Sequence, residues 1–371
     1  MENFLADLIP AQLQQGYQVA ALVHDHQRQW HRSFQAEKTH SLFPLYRVPC
    51  YGRLLYAPIS PHFPFWLQKT LQVFQPDILH LHLPNTSAFW VLFSPLARQI
   101  PWVIHWHADV DITPNLYLTS VYRTVYRPFE QQLLKRARII IATSEPYLAA
   151  STALQPWQEK CHVVPLGIAR HRVHQPTQLL RTWAEQQWQP DIIKILSVGR
   201  LTYYKGYDIL VQAMAQVHNA QICIVGHGEL QPTLSNLVQR LHLAHKVKLL
   251  GYCSDTELQA LFSVCDCFCL SSIDRAEAFG VVLIEAMGYA KPVIASAIPG
   301  SGVSWVVDNG RAGLLTPTYA VSELAKTLQM LVDQPTLRRQ LGEKGQQRFQ
   351  QLFDIQQVAK TLTLLYASSI H

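Results

Sequence analysis

The sequence predicts an α/β protein with two domains, each built on a parallel β-sheet. Short apolar runs alternate with helical stretches along the chain, which is the βαβ pattern of parallel sheets covered by helices. The chain has 371 residues, of which 49% are hydrophobic and 15% are charged. This length and composition provide for two cores and argue against a disordered protein.

Each half of the chain contains five strand-like runs. In the first half they cover residues 19–23, 78–83, 102–106, 139–142 and 163–164. In the second half they cover residues 194–198, 221–225, 246–250, 267–270 and 292–295. Periodicity is lost between the halves, over residues 169–191, which predicts a linker there. The predicted boundaries are therefore a first domain at 1–172, a linker at 173–190, a second domain at 191–354 and a final helix from Ile355.

Residues 271–288 predict an anion site. Gly280 begins an apolar helical run, and the free N–H groups and positive dipole end of a helix suit a phosphate. Glu277 lies just before this helix and Glu285 lies in its second turn, so two carboxylates flank the site. A carboxylate beside a phosphate site typically binds hydroxyl groups. The segment favours a nucleotide-sugar site; the alternative is a solvated helix end with incidental acidic residues.

Residues 195–210 predict a buried strand, a loop and the start of a helix. Arg200 and Lys205 flank this loop, one with a planar guanidinium and the other with a compact ammonium group. This pairing suits a diphosphate.

Taken together, the two segments resemble the retaining GT-B glycosyltransferases of the large family that includes bacterial lipopolysaccharide and phosphatidylinositol mannosyltransferases. The resemblance rests on the E-x7-E pair of Glu277 and Glu285, on the G-R-L-x-x-x-K-G loop at 199–206 and on the glycine turn at 225–228. It implies two Rossmann-like domains whose parallel sheets face a central cleft. It also implies that the final helix, at 355–371, returns to the first domain.

The resemblance further implies which residues handle the donor. The expected catalytic residues are His107, Arg200, Lys205 and Glu277, with Glu277 binding the hydroxyls of the donor sugar rather than acting as a nucleophile. The other expected donor-binding residues are Glu285, at the ribose, and Phe279, Gly280, Val281, Gly226, Gly251 and Tyr252. Cationic side chains and a helix N-terminus can stabilise the leaving diphosphate, so no metal or other cofactor is expected.

Histidines dominate the candidate sites of the first half. By resemblance His107 points at the donor sugar, where a neutral imidazole can bond to a hydroxyl; the alternative is a histidine satisfied at a strand end. His105 is expected on the opposite face of its strand, in a structural role. His80 and His82 share a strand face, as a metal pair or as interior histidines. The resemblance places His82, together with Ser144, on the acceptor side.

Two further patterns resemble metal motifs, and neither predicts a metal. Asp109 and Asp111 form a D-x-D pair, but they lie in the first half, away from the phosphate loop. Cys265, Cys267 and Cys269 alternate along a strand, whereas metal-binding cysteines are more often spaced C-x2-C. These cysteines are expected to be small buried side chains in a reducing compartment.

The net charge of +6 is concentrated in the first half. Basic residues interleaved with tyrosines gather over residues 122–138, which suits an anionic membrane surface, although a solvated helix face is the simpler alternative. The sequence contains no nucleic-acid-binding module. It also contains neither a membrane span nor a signal peptide, so a cytoplasmic protein is expected, peripheral on the inner face of the plasma membrane.

The expected function is transfer of a hexose from a nucleotide-diphosphate sugar to a saccharide or lipid-linked acceptor in surface polysaccharide or lipopolysaccharide synthesis. A GDP-mannose-type donor is favoured over a UDP-sugar. The alternatives are a sugar-nucleotide epimerase or phosphorylase of the GT-B fold and a non-catalytic nucleotide-sugar-binding subunit. The resemblance implies a strand and a glycine-rich loop before the helix that starts here at Met1. An in-frame upstream strand and Gly-Gly pair are therefore expected; the alternative is a real truncation.

Overall fold

A computed structural model describes residues 2–25, 34–35, 43–54, 57–110 and 122–370. These residues fold into two compact units. Unit 1 comprises Met1–Thr143, Ser151–Val164 and Ala359–His371, and unit 2 comprises Ser144–Ala150 and Pro165–Val358. Parallel sheets and helices make up both units, which confirms the predicted fold class.

The described part of unit 1 contains eight short strands. They are β1 (Ala21–Asp25), β2 (Leu45–Pro49), β3 (Arg53–Leu54), β4 (Ala57–Pro58), β5 (Leu79–Leu83), β6 (Trp102–Trp106), β7 (Ile139–Ala142) and β8 (Cys161–Val163). Strands β5 to β8 form one parallel sheet in chain order, and β1 and β2 form a separate parallel pair. Strands β6 and β7 are buried along their whole length, which explains their continuous apolar sequences.

The α-helices of unit 1 pack on these sheets. They are Glu2–Gln14, Phe63–Phe74, Arg127–Arg136 and Ile355–Ile370, the last of which begins in unit 2. Shorter helical turns are Thr86–Leu92, Ala97–Gln99, Tyr122–Tyr126 and Gln155–Lys160. Two hydrogen bonds join the first and last α-helices inside unit 1: Gln12 Nε2 donates to the Tyr366 hydroxyl at 2.9 Å, and Thr363 Oγ1 donates to Gln15 Oε1 at 2.6 Å.

Unit 2 contains a single parallel sheet of six strands. They are β9 (Ile193–Val198), β10 (Ala220–Val225), β11 (Val247–Gly251), β12 (Cys267–Leu270), β13 (Val293–Ser296) and β14 (Gly313–Thr316). Their order across the sheet is β11-β10-β9-β12-β13-β14. Cys265, Cys267 and Cys269 are buried, as predicted. Because β9 and β12 are neighbours in space but not in sequence, the chain changes direction across the sheet between them.

Helices connect and cover the strands of unit 2. They are Glu145–Ala150, Gln178–Glu185, Tyr207–Met214, Gln231–Arg240, Asp255–Val264, Val281–Gly288, Val303–Val307, Val321–Asp333 and Pro335–Arg348, with shorter turns at Arg170–Val173, Tyr203–Lys205 and Phe349–Phe353. The helix Asp255–Val264 begins with a capping box, in which Ser254 and Glu257 satisfy each other's backbone N–H groups.

The structure adds elements that the sequence pattern did not reveal. All ten predicted strands are present, shifted by at most two residues, but β2, β3, β4 and β14 were not predicted. The predicted linker region contains the helix Gln178–Glu185, which begins where the Thr177 hydroxyl accepts from the backbone N–H of Leu180. This helix was missed because it is short and only Ala184 is buried.

Candidate active site

The carboxyl ends of β9 and β12 meet where the strand order of the unit 2 sheet reverses. Strands β10 and β11 lie on one side of β9, and β12 to β14 lie on the other. In open parallel sheets, ligands bind outside the carboxyl ends of the strands at such a switch point. The two segments that the sequence singled out are the loops that follow these two strands.

Hydrogen bonds hold the two loops together. The N–H of Ile273 donates to the carbonyl of Tyr204 at 2.8 Å, and the Ser271 hydroxyl donates to the carbonyl of Lys205 at 2.9 Å. Gly206 permits this close approach, because its φ is +61° and a Cβ there would lie 2.3 Å from the Ser271 carbonyl oxygen. The loops therefore bring Lys205 next to Glu277.

Lys205 and Glu277 form a nearly buried ion pair. Lys205 Nζ lies 2.5 Å from Glu277 Oε2, and the two side chains are only 9% and 12% exposed. The Ser272 hydroxyl donates to the same carboxylate oxygen at 3.0 Å. Because an ammonium group has three N–H donors, one bond to Glu277 leaves capacity for an anionic ligand. The carboxylate thus orients a cation at the switch point.

Arg200 lies beside a cavity of about 630 Å³ in unit 2. Its guanidinium is exposed and pairs with the Glu229 carboxylate at 3.2 Å. The cavity is also lined by His227, Cys253 and the exposed ring of Tyr252, which is 75% accessible. A pocket with an accessible aromatic ring next to an arginine can take a planar base together with an attached phosphate.

The glycine turn after β10 forms the floor of this cavity. Gly226 has a φ of +136°, and a Cβ there would lie 2.0 Å from the carbonyl oxygen of Gly199. Its N–H donates to the carbonyl of Gly251, at the end of β11, at 2.8 Å. Gly251 itself has a φ of +71° and open space where a Cβ would be. The turn therefore keeps side-chain bulk out of the cavity wall.

The helix Val281–Gly288 begins shortly after Glu277 in the sequence. Gly280 caps it with a φ of +79°, and Val281 is partly exposed at its first position. Glu285 lies in its second turn, as predicted. Phe279 is 3% exposed, with its ring packed near Trp305 and Phe353, so only its backbone is placed to meet a ligand.

Four histidines of unit 1 share one face of the β5–β6 pair. His82 lies opposite His105 in the strand register. His82 Nδ1 lies 2.9 Å from His107 Nε2, and the rings of His105 and His107 stack at 4.5 Å. The prediction that His105 lies on the opposite face from His107 is therefore wrong, because residues two apart on a strand point the same way.

Burial keeps these imidazoles neutral. It lowers the pKa of His80 to about 3 and lowers the pKa values of His82, His105 and His107 well below the ordinary value, with repulsion between neighbouring histidines adding to the effect. A neutral imidazole offers one donor and one acceptor. His107 can therefore bond to a neutral hydroxyl without bringing in a positive charge.

The remaining predicted residues have structural contacts. Ser144 is fully buried in unit 2, and its hydroxyl accepts from the N–H of Tyr147 at 3.4 Å. Asp109 Oδ1 accepts from Trp106 Nε1 at 2.8 Å and from the Ser151 hydroxyl at 2.6 Å. The second member of the D-x-D pair, Asp111, lies outside the described residues.

Sequence reasoning missed two side chains that orient the predicted ones. Ser272 bonds to Glu277, and Glu229 pairs with Arg200. Glu229 directly follows the glycine turn, so its position was a usable signal. Ser272 carried no such signal, because its role depends on how the loop folds back onto Glu277.

Both halves of the chain match glycosyltransferase families. The glycosyl transferases group 1 family matches residues 183–348, and the glycosyl transferase 4-like domain matches residues 1–167. The chain is 28% identical to the O-antigen chain mannosyltransferase C of Escherichia coli over 79% of this chain and 75% of that protein. It is 30% identical to the D-rhamnosyltransferase WbpZ of Pseudomonas aeruginosa over 75% of this chain and 70% of that protein.

Solved structures share the fold of this chain. A sucrose-phosphate synthase from Thermosynechococcus elongatus superposes with a TM-score of 0.74 at 25% identity, over 96% of this chain and 90% of that one. HepE of Anabaena, solved in complex with UDP, superposes with a TM-score of 0.70 at 21% identity, over 88% of this chain and 86% of that one. The fold and the site together define a GT-B glycosyltransferase.

The chain belongs to the group 1 glycosyltransferases, a retaining family, and transfers a sugar from a nucleotide-sugar donor. Its relatives include sugar transferases of O-antigen and lipopolysaccharide synthesis. None of the helices in the described ranges is both long enough and apolar enough to span a membrane.

Proposed function

We propose that this enzyme moves a hexose from a GDP-mannose-type donor to a saccharide or lipid-linked acceptor in surface polysaccharide synthesis. The observation that carries the donor part is the Lys205–Glu277 pair at the switch point, next to the cavity lined by Arg200 and Tyr252. The preference for a mannose-type donor is supported by the name of the Escherichia coli relative. The competing donor is a UDP-sugar, the nucleotide class seen bound in HepE.

In this proposal the donor residues act on different parts of the nucleotide sugar. Arg200, Lys205 and the N–H groups around Gly280 and Val281 stabilise the charge that develops on the leaving diphosphate. Glu285 accepts hydrogen bonds from the ribose hydroxyls, and Glu277 accepts them from the sugar. Gly226, Gly251 and Tyr252 contact the base.

Donor specificity is tested by measuring release of GDP or UDP from a panel of nucleotide sugars in the presence of membrane-extracted acceptors. GDP-mannose should be used at least tenfold better than UDP-glucose. The variant Glu285→Gln should weaken binding of the free nucleotide, whereas Glu323→Gln, on an exposed helix of the same unit, should not. Preferential turnover of UDP-glucose would overturn the mannose-type assignment while leaving the transferase assignment intact.

We also propose that the diphosphate is held without Mg²⁺ or Mn²⁺. Lys205 and Arg200 provide the positive charge that a divalent ion provides elsewhere. Turnover should therefore be the same with these two ions omitted or added at millimolar concentration. A requirement for either ion at donor-binding concentrations would contradict this part of the proposal.

An exposed aromatic and basic surface of unit 1 supports binding to an anionic membrane. Phe93 is 61% exposed, and its ring lies 6.0 Å from the rings of both Trp90 and Phe129. Exposed basic residues follow on the adjoining turn and helix, among them Arg123, Arg127, Lys135 and Arg136. Aromatic rings beside basic residues suit the interfacial region of anionic bilayers.

Vesicle flotation tests this surface. The protein should float with vesicles that contain an anionic lipid and not with neutral ones, and Phe93→Ser together with Arg127→Ser should abolish flotation. Leu179→Ser, which changes an 81% exposed side chain of unit 2, is the matched control. Equal flotation of the double variant would show that this surface does not bind membranes.

A further inference from the structure

The four-histidine face of unit 1 contains more imidazole nitrogens than the surrounding protein satisfies. His80 and His82 come from β5, and His105 faces them from β6. One ring nitrogen from each of these three histidines lies within 4.8 Å of the other two. Within the described ranges, both ring nitrogens of His105 and the Nε2 of His80 are buried without a hydrogen-bond partner.

Such burial is costly unless something binds these nitrogens. A buried polar group without a partner typically costs about 1–3 kcal/mol, and buried polar atoms in native proteins are nearly always satisfied. His105 is fully buried, and the ring of Phe4 packs edge-on at 5.1 Å from its ring. His80 and His105 therefore carry buried ring nitrogens whose hydrogen-bonding capacity is unused, within a group of three histidines whose ligand atoms lie within 4.8 Å of one another.

Two of the remaining ring nitrogens, those of His80 and His82, have hydrogen-bond partners. The Nδ1 of His80 lies 2.8 Å from the Tyr366 hydroxyl, and the Nδ1 of His82 lies 2.9 Å from Nε2 of His107. Metal-ligating histidines almost always bond through their second ring nitrogen, which fixes the tautomer and the ring orientation. Both bonds use Nδ1, so Nε2 is the atom of His80 and of His82 that remains available to bind an ion.

We propose that His80, His82 and His105 bind a transition-metal ion of the Zn²⁺ class. Neutral imidazoles suit Zn²⁺, Cu²⁺ and Ni²⁺, and the group contains no carboxylate of the kind that Mg²⁺ and Ca²⁺ require. Three nitrogens each about 2.0–2.1 Å from a tetrahedral ion would lie about 3.4 Å apart. The nitrogens now lie within 4.8 Å of one another, so the most distant pair would have to approach by up to about 1.4 Å.

None of the expected donor-binding residues takes part in this site. It nevertheless determines one property of the predicted catalytic histidine. With the ion on Nε2 of His82, the proton of that ring must sit on Nδ1 and be donated to His107 Nε2. His107 then carries its own proton on Nδ1, which makes that atom a donor for a hydroxyl oxygen of a substrate.

Metal analysis of the full-length protein, purified without a histidine tag, tests the proposal. We expect one equivalent of Zn²⁺ to remain after dialysis against metal-free buffer. Replacing it with Co²⁺ should give the visible absorption bands of a tetrahedral nitrogen-ligated site. Retention of no metal, together with no Co²⁺ spectrum, would overturn the proposal without affecting the transferase assignment.

Variants separate binding by this cluster from binding elsewhere. His105→Phe keeps a ring of similar size and should abolish the Co²⁺ spectrum, whereas His162→Gln, an exposed histidine of the same unit, should leave it unchanged. Tyr366→Phe removes the partner of His80 Nδ1 and should weaken Co²⁺ binding about 10–100-fold. If His105→Phe fails to fold, the Tyr366→Phe titration decides: unchanged Co²⁺ affinity there would contradict the assignment.

Discussion

In the proposed donor site Lys205 stabilises the charge that develops on the leaving diphosphate, and Glu277 contacts its ammonium group at 2.5 Å. Replacing Lys205 with alanine removes this charge, so kcat/KM for the donor should fall about a hundredfold, as loss of a charge-stabilising donor typically does. Steady-state nucleotide release measures the change. Lys326→Ala, at a cation that is 71% exposed and paired with Glu323, is the matched control and should retain wild-type activity.

The same substitution also leaves Glu277 as a nearly buried carboxylate without its cation, which is destabilising. The double variant Lys205→Ala with Glu277→Gln removes this unpaired charge. Because Glu277 is itself an expected catalytic residue, this double variant tests folding alone, and its Tm should return toward the wild-type value. If the single variant Lys205→Ala is still folded at the assay temperature but inactive, the chemical role of Lys205 is supported.

Glu130 gives unit 1 a pH-dependent stability. Its side chain is buried, and desolvation raises its pKa to about 7, partly offset by a hydrogen bond from the Tyr122 hydroxyl. The folded state therefore keeps a proton that the unfolded chain loses near pH 4.5. Between these two values stability should fall as pH rises, by up to about 1.4 kcal/mol per pH unit.

The variant Glu130→Gln tests whether the stability of the folded state falls as pH rises. Glutamine has no ionised form, so the variant should have a higher Tm than the wild type at pH 8 and a similar Tm at pH 4.5. Thermal denaturation followed by circular dichroism at both values measures the difference. A wild-type advantage at pH 8 would mean that the ionised carboxylate has a stabilising partner.

At the scale of whole elements, the turn after β10 determines how closely two loops approach. A Cβ at Gly226 would lie 2.0 Å from the carbonyl oxygen of Gly199, and the positive φ adds backbone strain. We expect Gly226→Ala to lower the Tm and to weaken nucleotide binding at least tenfold. Gly310→Ala is the matched control, because it has a positive φ of +77° but open space around its Cβ.

Comparing these two glycine variants separates the effect of backbone strain from the effect of a steric clash between a Cβ at Gly226 and the Gly199 carbonyl. Both should lose stability through their backbone conformation, and Gly226→Ala alone should lose nucleotide affinity in isothermal titration. Equal nucleotide affinity in the two variants would show that the approach of Gly226 to Gly199 does not shape the donor cavity.

The strands that the sequence predicted are those with continuous apolar runs. Strands such as Trp102–Trp106 and Cys267–Leu270 were predicted with their observed bounds, because they are buried along their whole length. Strand β2 has an arginine in its centre and a proline at its end, and β14 begins at a glycine, so neither had a clear pattern. Tertiary pairing with neighbouring strands, which the local sequence does not encode, makes them strands.

The part of the candidate site that lies within sequence motifs could be predicted. The part that depends on contacts between side chains of different strands could not. The E-x7-E and G-R-L-x-x-x-K-G spacings pointed to Lys205 and Glu277, and the structure places these two side chains in contact. The four-histidine face depends on the register of β5 against β6, which no spacing within one strand reveals. The wrong prediction for His105 has a simpler cause. Residues two apart on a strand share a face, so strand alternation alone would have placed His105 on the same face as His107.

At the scale of the whole molecule, the predicted donor residues after β9, β10, β11 and β12 all belong to unit 2, whereas the histidine face belongs to unit 1. A free nucleotide lacks the sugar, so it should engage the residues of unit 2 alone. Ligand binding stabilises the folded state by about 2.7 kcal/mol at a hundred times the dissociation constant.

Hydrogen exchange with saturating GDP, followed by mass spectrometry, should therefore show slower exchange in the loops after β9 and β12 and in the turn after β10. Peptides that contain β5 and β6 should exchange at the same rate with and without GDP, because local opening reports the stability of each region separately. UDP at the same concentration should protect the same loops less strongly if the donor is a GDP-sugar. Protection confined to β5 and β6 would place nucleotide binding in unit 1, and the role of Lys205, Glu277 and Arg200 as donor-binding residues would then be wrong.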